Sequence, residues 1–232
     1  MPNWVFNNVT VEGSPSSVQK LKEQMNKPYT REQENWDKDT DSMMFKTYTY
    51  SNPVFAFWNI IAPTDMVEYA KQPSWVTADI PNKAKSDLSW YTWNLNNWGV
   101  KWDVAVHDGD EHPDTELEDE QTNGENTVLL YRFNTAWGTP DNALMLLSSQ
   151  FPDLLLTNEF EEEQGWGGET EYLRGKATLT GEYNWKCQNC DYMEAGEQPY
   201  CEECESSICP ECLYSYVPTE DLCEEHNGSK RP

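Results

Sequence analysis

The C-terminal segment CQNCDYMEAGEQPYCEECESSICPECLYSYVPTEDLCEEH holds every cysteine of the chain. They fall as Cys187-x2-Cys190, Cys201-x2-Cys204, Cys209-x2-Cys212 and Cys223-x2-His226, four pairs completed by one histidine. A two-residue gap lets two sulfurs, or a sulfur and an imidazole nitrogen, turn onto one ion about 2.3 Å away. Eight such ligands make two closed tetrahedral sites, so the expected cofactor is zinc, two ions per chain. The gaps between pairs are ten, four and ten residues. Four residues leave little room for the second and third pairs to share an ion. Interleaving relieves this, with Cys187, Cys190, Cys209 and Cys212 on one zinc and Cys201, Cys204, Cys223 and His226 on the other. Two successive zinc ribbons are the other connectivity the spacing allows. A catalytic zinc keeps a position open for water, and this inventory leaves none, so the ions read as structural. A segment this poor in apolar residues needs ligation for most of its folding energy. The histidine argues against an iron–sulfur cluster, which takes four cysteines, and no βαβ pattern surrounds CQNC or CPEC as a thioredoxin-like use would need.

The interleaved order resembles the cross-brace modules: RING, B-box, ZZ and FYVE fingers and their treble-clef relatives. That resemblance implies a protein-interaction device, and a RING-like ubiquitin-ligase adaptor is one role it would carry. Between Cys187 and His226 stand eleven Asp or Glu and no Lys or Arg, the wrong sign for a finger that binds nucleic acid.

The same sign runs through the whole chain of 232 residues, with 41 Asp plus Glu against 16 Lys plus Arg and a formal charge of −25. Phosphate backbones and anionic headgroups are poor partners for such a surface, so neither direct nucleic-acid binding nor a membrane is expected, and a basic protein partner is. The longest apolar run, VFAFWNIIA, is too short to span a bilayer. MPNWVFNNVT lacks the basic start and continuous apolar stretch of a signal peptide, which gives the expectation of a soluble, cytoplasmic protein. The charge peaks in DGDEHPDTELEDEQTNGE, residues 108–125, with nine acids and no Lys or Arg. A run like this reads as a solvated loop. Its sharper reading is a decoy surface imitating nucleic acid, built on Asp108, Asp110, Glu111, Asp114, Glu116, Glu118, Asp119 and Glu120. HDGDEH, with His107 and His112, could also ligate a divalent ion, although no helix holds those ligands on one face.

Punctuation and periodicity place the supporting elements. WVFNNVTVEG alternates Val5, Val9 and Val11 with polar residues and reads as a strand. SPSSVQKLKEQMNKP supplies Ser14 as N-cap, Pro15 at the first helical position and Val18, Leu21 and Met25 on one face. Polar residues 30–42 read as a loop, MMFKTYTY as a second strand, and TVLLYRFNTAW as a strand with both faces apolar. TPDNALMLLSSQFP repeats the helix grammar, with Thr139 as cap, Pro140 first, Leu144, Leu147 and Phe151 on one face and Pro152 as terminator. DLLLTNEFEEE is a further strand, and ETEYLRGKATLTGEYNW a hairpin turning near Gly175-Lys176. The order β-α-β, long insertion, β-α-β predicts an α+β, ferredoxin-like split βαβ sheet with two helices. The expected units are residues 1–185, with an acidic insertion at 108–126, and a two-zinc module at 186–228.

Three stretches, MPNWVFNNVTVEG, NNWGVKWDV and FNTAWGTP followed by a helix and FPDL, resemble the YubB-like ferredoxin-fold proteins encoded by phages and plasmids. An N-W-G-x-K-W-[DN] block and an F-x-T-A-W-x-x-P block mark that family, and here they are Asn97–Asp103 and Phe133–Pro140. The resemblance covers roughly residues 1–170 and implies a fold and a mobile-element context, with no activity to carry over.

Trp4, Trp98, Lys101, Trp102, Asp103 and Trp137 are the candidate pocket or interface residues. Indoles stacking on bases come with a cationic groove, absent here, so core comes first, interface second and a small-ligand pocket third. GWGG lacks the spacing of a phosphate cradle. No nucleophile with an attendant base is visible and no catalytic residue is assigned. The reading is a non-enzymatic acidic adaptor or inhibitor from a phage or plasmid, in its sharper form a DNA-imitating decoy against a host DNA-binding or defence protein. The rival class is a metal-dependent hydrolase or nucleotide-processing enzyme with a Trp-lined pocket. Metal analysis of the purified chain is expected to give about two zinc ions, with loss of C-terminal structure on chelation; any other stoichiometry overturns the ligand assignment.

Overall fold

The structure is a computed structural model that describes residues 3–71, 89–109, 115–186, 193–194, 200–201 and 206–207. Its core is a six-stranded antiparallel sheet in the order β4-β5-β1-β6-β7-β8. The strands are β1 (Trp4–Gly13), β4 (Glu116–Asn123), β5 (Asn126–Ala136), β6 (Leu155–Glu162), β7 (Gly167–Leu173) and β8 (Lys176–Tyr183). β1 lies antiparallel between β5 and β6, with Val9 opposite both Tyr131 and Asn158. Helix α1 (Pro15–Met25) connects β1 to the far side of β5, and α4 (Asp141–Gln150) connects β5 to β6. That is the split βαβ plan: two crossovers, each placing a parallel strand beyond an antiparallel neighbour.

One face of the sheet makes the core. Val9 and Val11 of β1, Leu129, Tyr131 and Phe133 of β5 and Leu156 of β6 share a buried cluster with Val18, Leu21 and Met25 of α1 and Ala143, Leu144 and Leu147 of α4. β5 differs from its expected two apolar faces, because only alternate residues from Thr127 to Thr135 are buried. Period-two alternation is what a sheet covered on one side demands. α1 begins as its sequence requires, with Ser14 accepting from the Ser17 amide at 3.3 Å. In α4 the cap shifts by one residue: Pro140 occupies the cap position with no side-chain cap, and Thr139 does not serve. Asp141 stands in the first turn instead, where a carboxylate favours the helix dipole, and it accepts from the Tyr172 hydroxyl. The β7–β8 hairpin turns through Arg174 and Gly175, both at positive φ (53° and 77°), as a two-residue type I′ turn requires.

Two segments differ from their sequence reading. Residues 30–42 are no loop: β2 (Tyr29–Asp37) and β3 (Ser42–Tyr50) form a separate antiparallel hairpin. Neither strand belongs to the main sheet, so MMFKTYTY is not the second strand of the ferredoxin-like core. That place is taken by β4, from the acidic stretch, which pairs with β5 along its length. Four acids in eight residues hide a strand from pattern reading, but an edge strand needs only its backbone and one or two inward side chains. Leu117, opposite Tyr131, packs against the core.

The insertion between α1 and β4 completes the core from the helical side. The 3₁₀ turn Phe57–Asn59, α2 (Met66–Ala70) and α3 (Trp90–Asn97) bring in Phe55, Phe57, Trp58, Tyr69, Trp90 and Trp98. Phe55 lies 5.0 Å from Tyr131 and 5.3 Å from Phe133, ring centre to ring centre. Trp98 is 0% exposed and donates its indole N–H to the Ile61 carbonyl at 3.2 Å. Gly99 follows at φ 88°, its amide on the carbonyls of Asn94 and Leu95, a left-handed stop that glycine adopts without strain. Trp98→Ala is expected to lower unfolding free energy by about 3–5 kcal/mol in urea titration, and Trp102→Ala by under about 1.5 kcal/mol; the reverse order would contradict the core assignment.

Candidate functional site

Asp103 is the polar centre of the insertion. Its carboxylate accepts from the amides of Phe57 (2.8 Å), Trp58 (3.3 Å), Val104 (2.8 Å) and Ala105 (3.3 Å) and from the Tyr29 hydroxyl (2.9 Å). Burial, and then the Asp103 charge, push the Tyr29 phenol far above its ordinary value, so it remains a donor. The Tyr29 ring stacks on Tyr50 at 4.3 Å and on Trp58 at 5.4 Å. Arg31 lies over Tyr50, 5.4 Å from its ring centre, and its positive charge acts on the phenols of Tyr50 and Tyr69. Burial raises the Tyr69 phenol to about 12. Its hydroxyl donates to Asn94, whose amide donates to the Lys101 carbonyl at 2.7 Å. Strand β2, which the sequence hid within a polar stretch, is what brings Arg31 and Tyr29 into this cluster.

The other candidate tryptophans divide. Trp98 is core, whereas Trp4, Trp102 and Trp137 meet at the surface. Trp102 lies 6.0 Å from Trp4 and 6.5 Å from Trp137, with Trp102 37% and Trp137 50% exposed. The Lys101 ammonium sits 4.2 Å from the Trp102 ring centre and 4.8 Å from that of Trp137, a double cation–π contact. Burial lowers the Lys101 pKa. Trp137 holds φ at 69°, a conformation costing a bulky residue roughly 1–2 kcal/mol, and its amide donates to the Asn3 carbonyl at 3.0 Å. The strain turns the indole outward onto Lys101.

Trp4 also opens the sheet face that carries no helix. On β1 that face shows Trp4, Phe6, Asn8, Thr10 and Glu12. Across the ladder come Arg132 of β5, Glu159 and Glu161 of β6, Glu169 and Glu171 of β7 and Glu116 of β4. Arg132 pairs with Glu118 at 2.5 Å and donates to Asn8. Phe6, 47% exposed, separates a hollow of about 380 Å³ towards β4 and β5 from one of about 720 Å³ towards β6 to β8. The second is lined by Asn8, Glu159, Glu161, Glu169, Gly181 and Tyr183, among others. Nothing in the sequence singled out Phe6 or Tyr183, since strand parity means little until register is known.

The acids of 108–126 have separate fates. Asp108 accepts from the Ser51 amide and hydroxyl (3.0 and 2.5 Å), which, with the hydroxyl leading, hold its carboxyl below the usual value. The neighbouring His107 ring lies 5.0 Å from Tyr48. Glu120 pairs with Lys22 of α1, and Glu116 and Asp119 are exposed on β4. Asp110, Glu111, His112 and Asp114 lie outside the described residues, as do Cys187, Cys190, Cys204, Cys209, Cys212, Cys223 and His226. Among the described residues no group of three or more His, Cys, Asp or Glu is placed to hold a metal, and no helix is long and apolar enough to cross a membrane. Two short ladders bracket the first cysteine pairs. β9 (Trp185–Lys186) pairs with β10 (Met193–Glu194) around the connection containing Cys187 and Cys190. β11 (Tyr200–Cys201) pairs with β12 (Ser206–Ser207) around Cys204.

Residues 101–200 match the family described as the ferredoxin-like domain in Api92-like protein. No curated protein and no solved structure matches the chain. The matched stretch begins at Lys101 and takes in Trp102, Asp103, Trp137 and strands β4 to β8. It omits β1 and α1, which the tertiary structure joins to it as the first half of the split βαβ sheet.

Asp103→Ala leaves four amides and a tyrosine hydroxyl without their acceptor. It is expected to cost roughly 3 kcal/mol or more, read in urea titration, and a cost under about 1 kcal/mol would show the carboxylate to be dispensable.

Proposed function

We propose that the protein is a non-enzymatic acidic adaptor or inhibitor that binds a basic protein partner through the helix-free face of its sheet. The observation that carries this reading is the composition of that face: exposed Phe6, Trp102 and Trp137 with Trp4, beside Glu12, Glu116, Glu159, Glu161, Glu169 and Glu171, against Arg132 and Lys101. Exposed aromatic anchors within a charged surround have the anatomy of an interface hot spot, and the sign selects a cationic partner. In its sharper form the acidic face imitates nucleic acid and titrates a DNA-binding or defence protein, in keeping with the phage and plasmid context of the YubB-like resemblance. The C-terminal module would hold two structural zinc ions and extend the interaction surface. The short ladders around Cys187 and Cys190 and around Cys204 support that reading, since hairpins of this kind suit zinc knuckles.

Binding of histone H1, a basic DNA-binding probe, is expected to weaken at least about tenfold between about 50 and 300 mM salt, and added protein is expected to release the probe from DNA. Salt-independent affinity, or none, would sink the proposal.

A further inference from the structure

The cavity of about 720 Å³ beside Phe6 falls within the range that holds side chains and small ligands, and its lining is specific in chemistry. Phe6 and Asn8 of β1 form one side. Glu159 and Glu161 of β6, Glu169 of β7 and Tyr183 of β8 supply the rest, and Met193 of β10 contributes from the cysteine-rich segment. Glu159 and Glu169 stand directly opposite in the β6–β7 register, where like charges are destabilising. Glu169 takes the Thr180 hydroxyl at 2.5 Å. Among the described residues the Glu159 carboxylate has no hydrogen bond or ion pair, and Arg132, a cation on this face, is committed to Glu118 and Asn8.

The aromatic wall is built by GWGG. A Cβ at Gly167 would stand 2.4 Å from the Tyr183 hydroxyl oxygen and 2.3 Å from the Phe160 carbonyl. Glycine therefore lets the Tyr183 ring lie flat across β7, from where its hydroxyl donates to Glu161 at 3.2 Å.

We infer that this cavity is the socket for an arginine side chain of the basic partner. The inference rests on the adaptor reading and adds the place and the residue. A planar guanidinium can bridge the opposed carboxylates of Glu159 and Glu169 while its flat face stacks on Phe6 or Tyr183. A lysine ammonium offers only a point charge.

The test is fluorescence anisotropy of labelled nona-arginine and nona-lysine on the full chain. A Cβ at Gly181 meets nothing nearer than 3.9 Å, and Gly181 lies opposite Glu169 on the cavity side. Gly181→Leu therefore plugs the socket without a charge change or a backbone clash. Gly181→Leu and Glu159→Gln are each expected to weaken nona-arginine binding about tenfold or more. Glu32→Gln, on the separate β2–β3 hairpin, should change it less than about twofold, and nona-lysine should bind more weakly throughout. Salt-sensitive binding of nona-arginine that survives both Gly181→Leu and Glu159→Gln overturns the socket and leaves the acidic face standing. Equal affinity for the two peptides overturns the choice of arginine, and no binding by the unaltered chain overturns both socket and adaptor.

Discussion

A carboxylate that gathers five hydrogen bonds is the interaction on which the rest of this structure depends. Asp103 ties the start of β2, the 3₁₀ turn and the segment leading to β4 to one point. Desolvating a carboxylate is costly unless its oxygens are met by donors, and here backbone amides and a phenol meet them. The consequence is geometric. With Phe57 and Trp58 held to Asp103, Phe55 and Phe57 reach Phe133 on the sheet, and Trp98 closes over Phe57. Lys101 and Trp102 are carried to the surface beside Trp137. The block Asn97–Asp103 thus does four things in seven residues: it ends a helix at Gly99, buries Trp98 and Val100, presents a cation and an indole, and anchors the insertion.

The two faces of the sheet answer different demands. The helical face is filled by aliphatic and aromatic side chains from four segments and excludes charge almost completely. The other face carries six glutamates that stand on paired strands, so their spacing is set by the ladder rather than by a flexible loop. A rigid array of like charges stores repulsion that a cationic partner can relieve. The aromatic residues at its edge supply apolar contact area that carboxylates cannot. β10, the first ladder of the cysteine-rich segment with β9, adds Met193 to the same hollow, so the C-terminal segment and the sheet meet at one surface.

Legibility in the sequence followed the strength of local signals. α1 was readable from Ser14, Pro15 and the Val18–Leu21–Met25 stripe because cap, first-turn proline and periodicity agree. The β7–β8 hairpin was readable from Gly175, although the pattern sets its turn at Gly175-Lys176 and the structure sets it one residue earlier, at Arg174-Gly175. α4 was found, but its cap was placed one residue early, since Thr139 and Asp141 are both residue types that begin helices. β2 was lost because TREQENWD has too little hydrophobic alternation, its burial coming from tyrosines and an arginine that pack on the insertion. β4 was lost because its acids dominate ELEDEQTN, while strand pairing uses a backbone that carries no sequence signature.

The ferredoxin-like order of helices and strands, the acidity and the regular pairing of cysteines are properties of the sequence by itself, because each depends on residues near one another in the chain or on simple composition. Which strand stands second in the sheet, which tryptophan is core, and which glutamates share a face were decided only by tertiary structure. Trp98 and Trp102 are four residues apart and equally apolar. One is sealed by Phe57 and Trp93 and the other rests on Lys101 at the surface, because the Gly99 turn sends the chain in a new direction between them. Glu159 and Glu169 become neighbours only through register, a long-range property that no local pattern specifies.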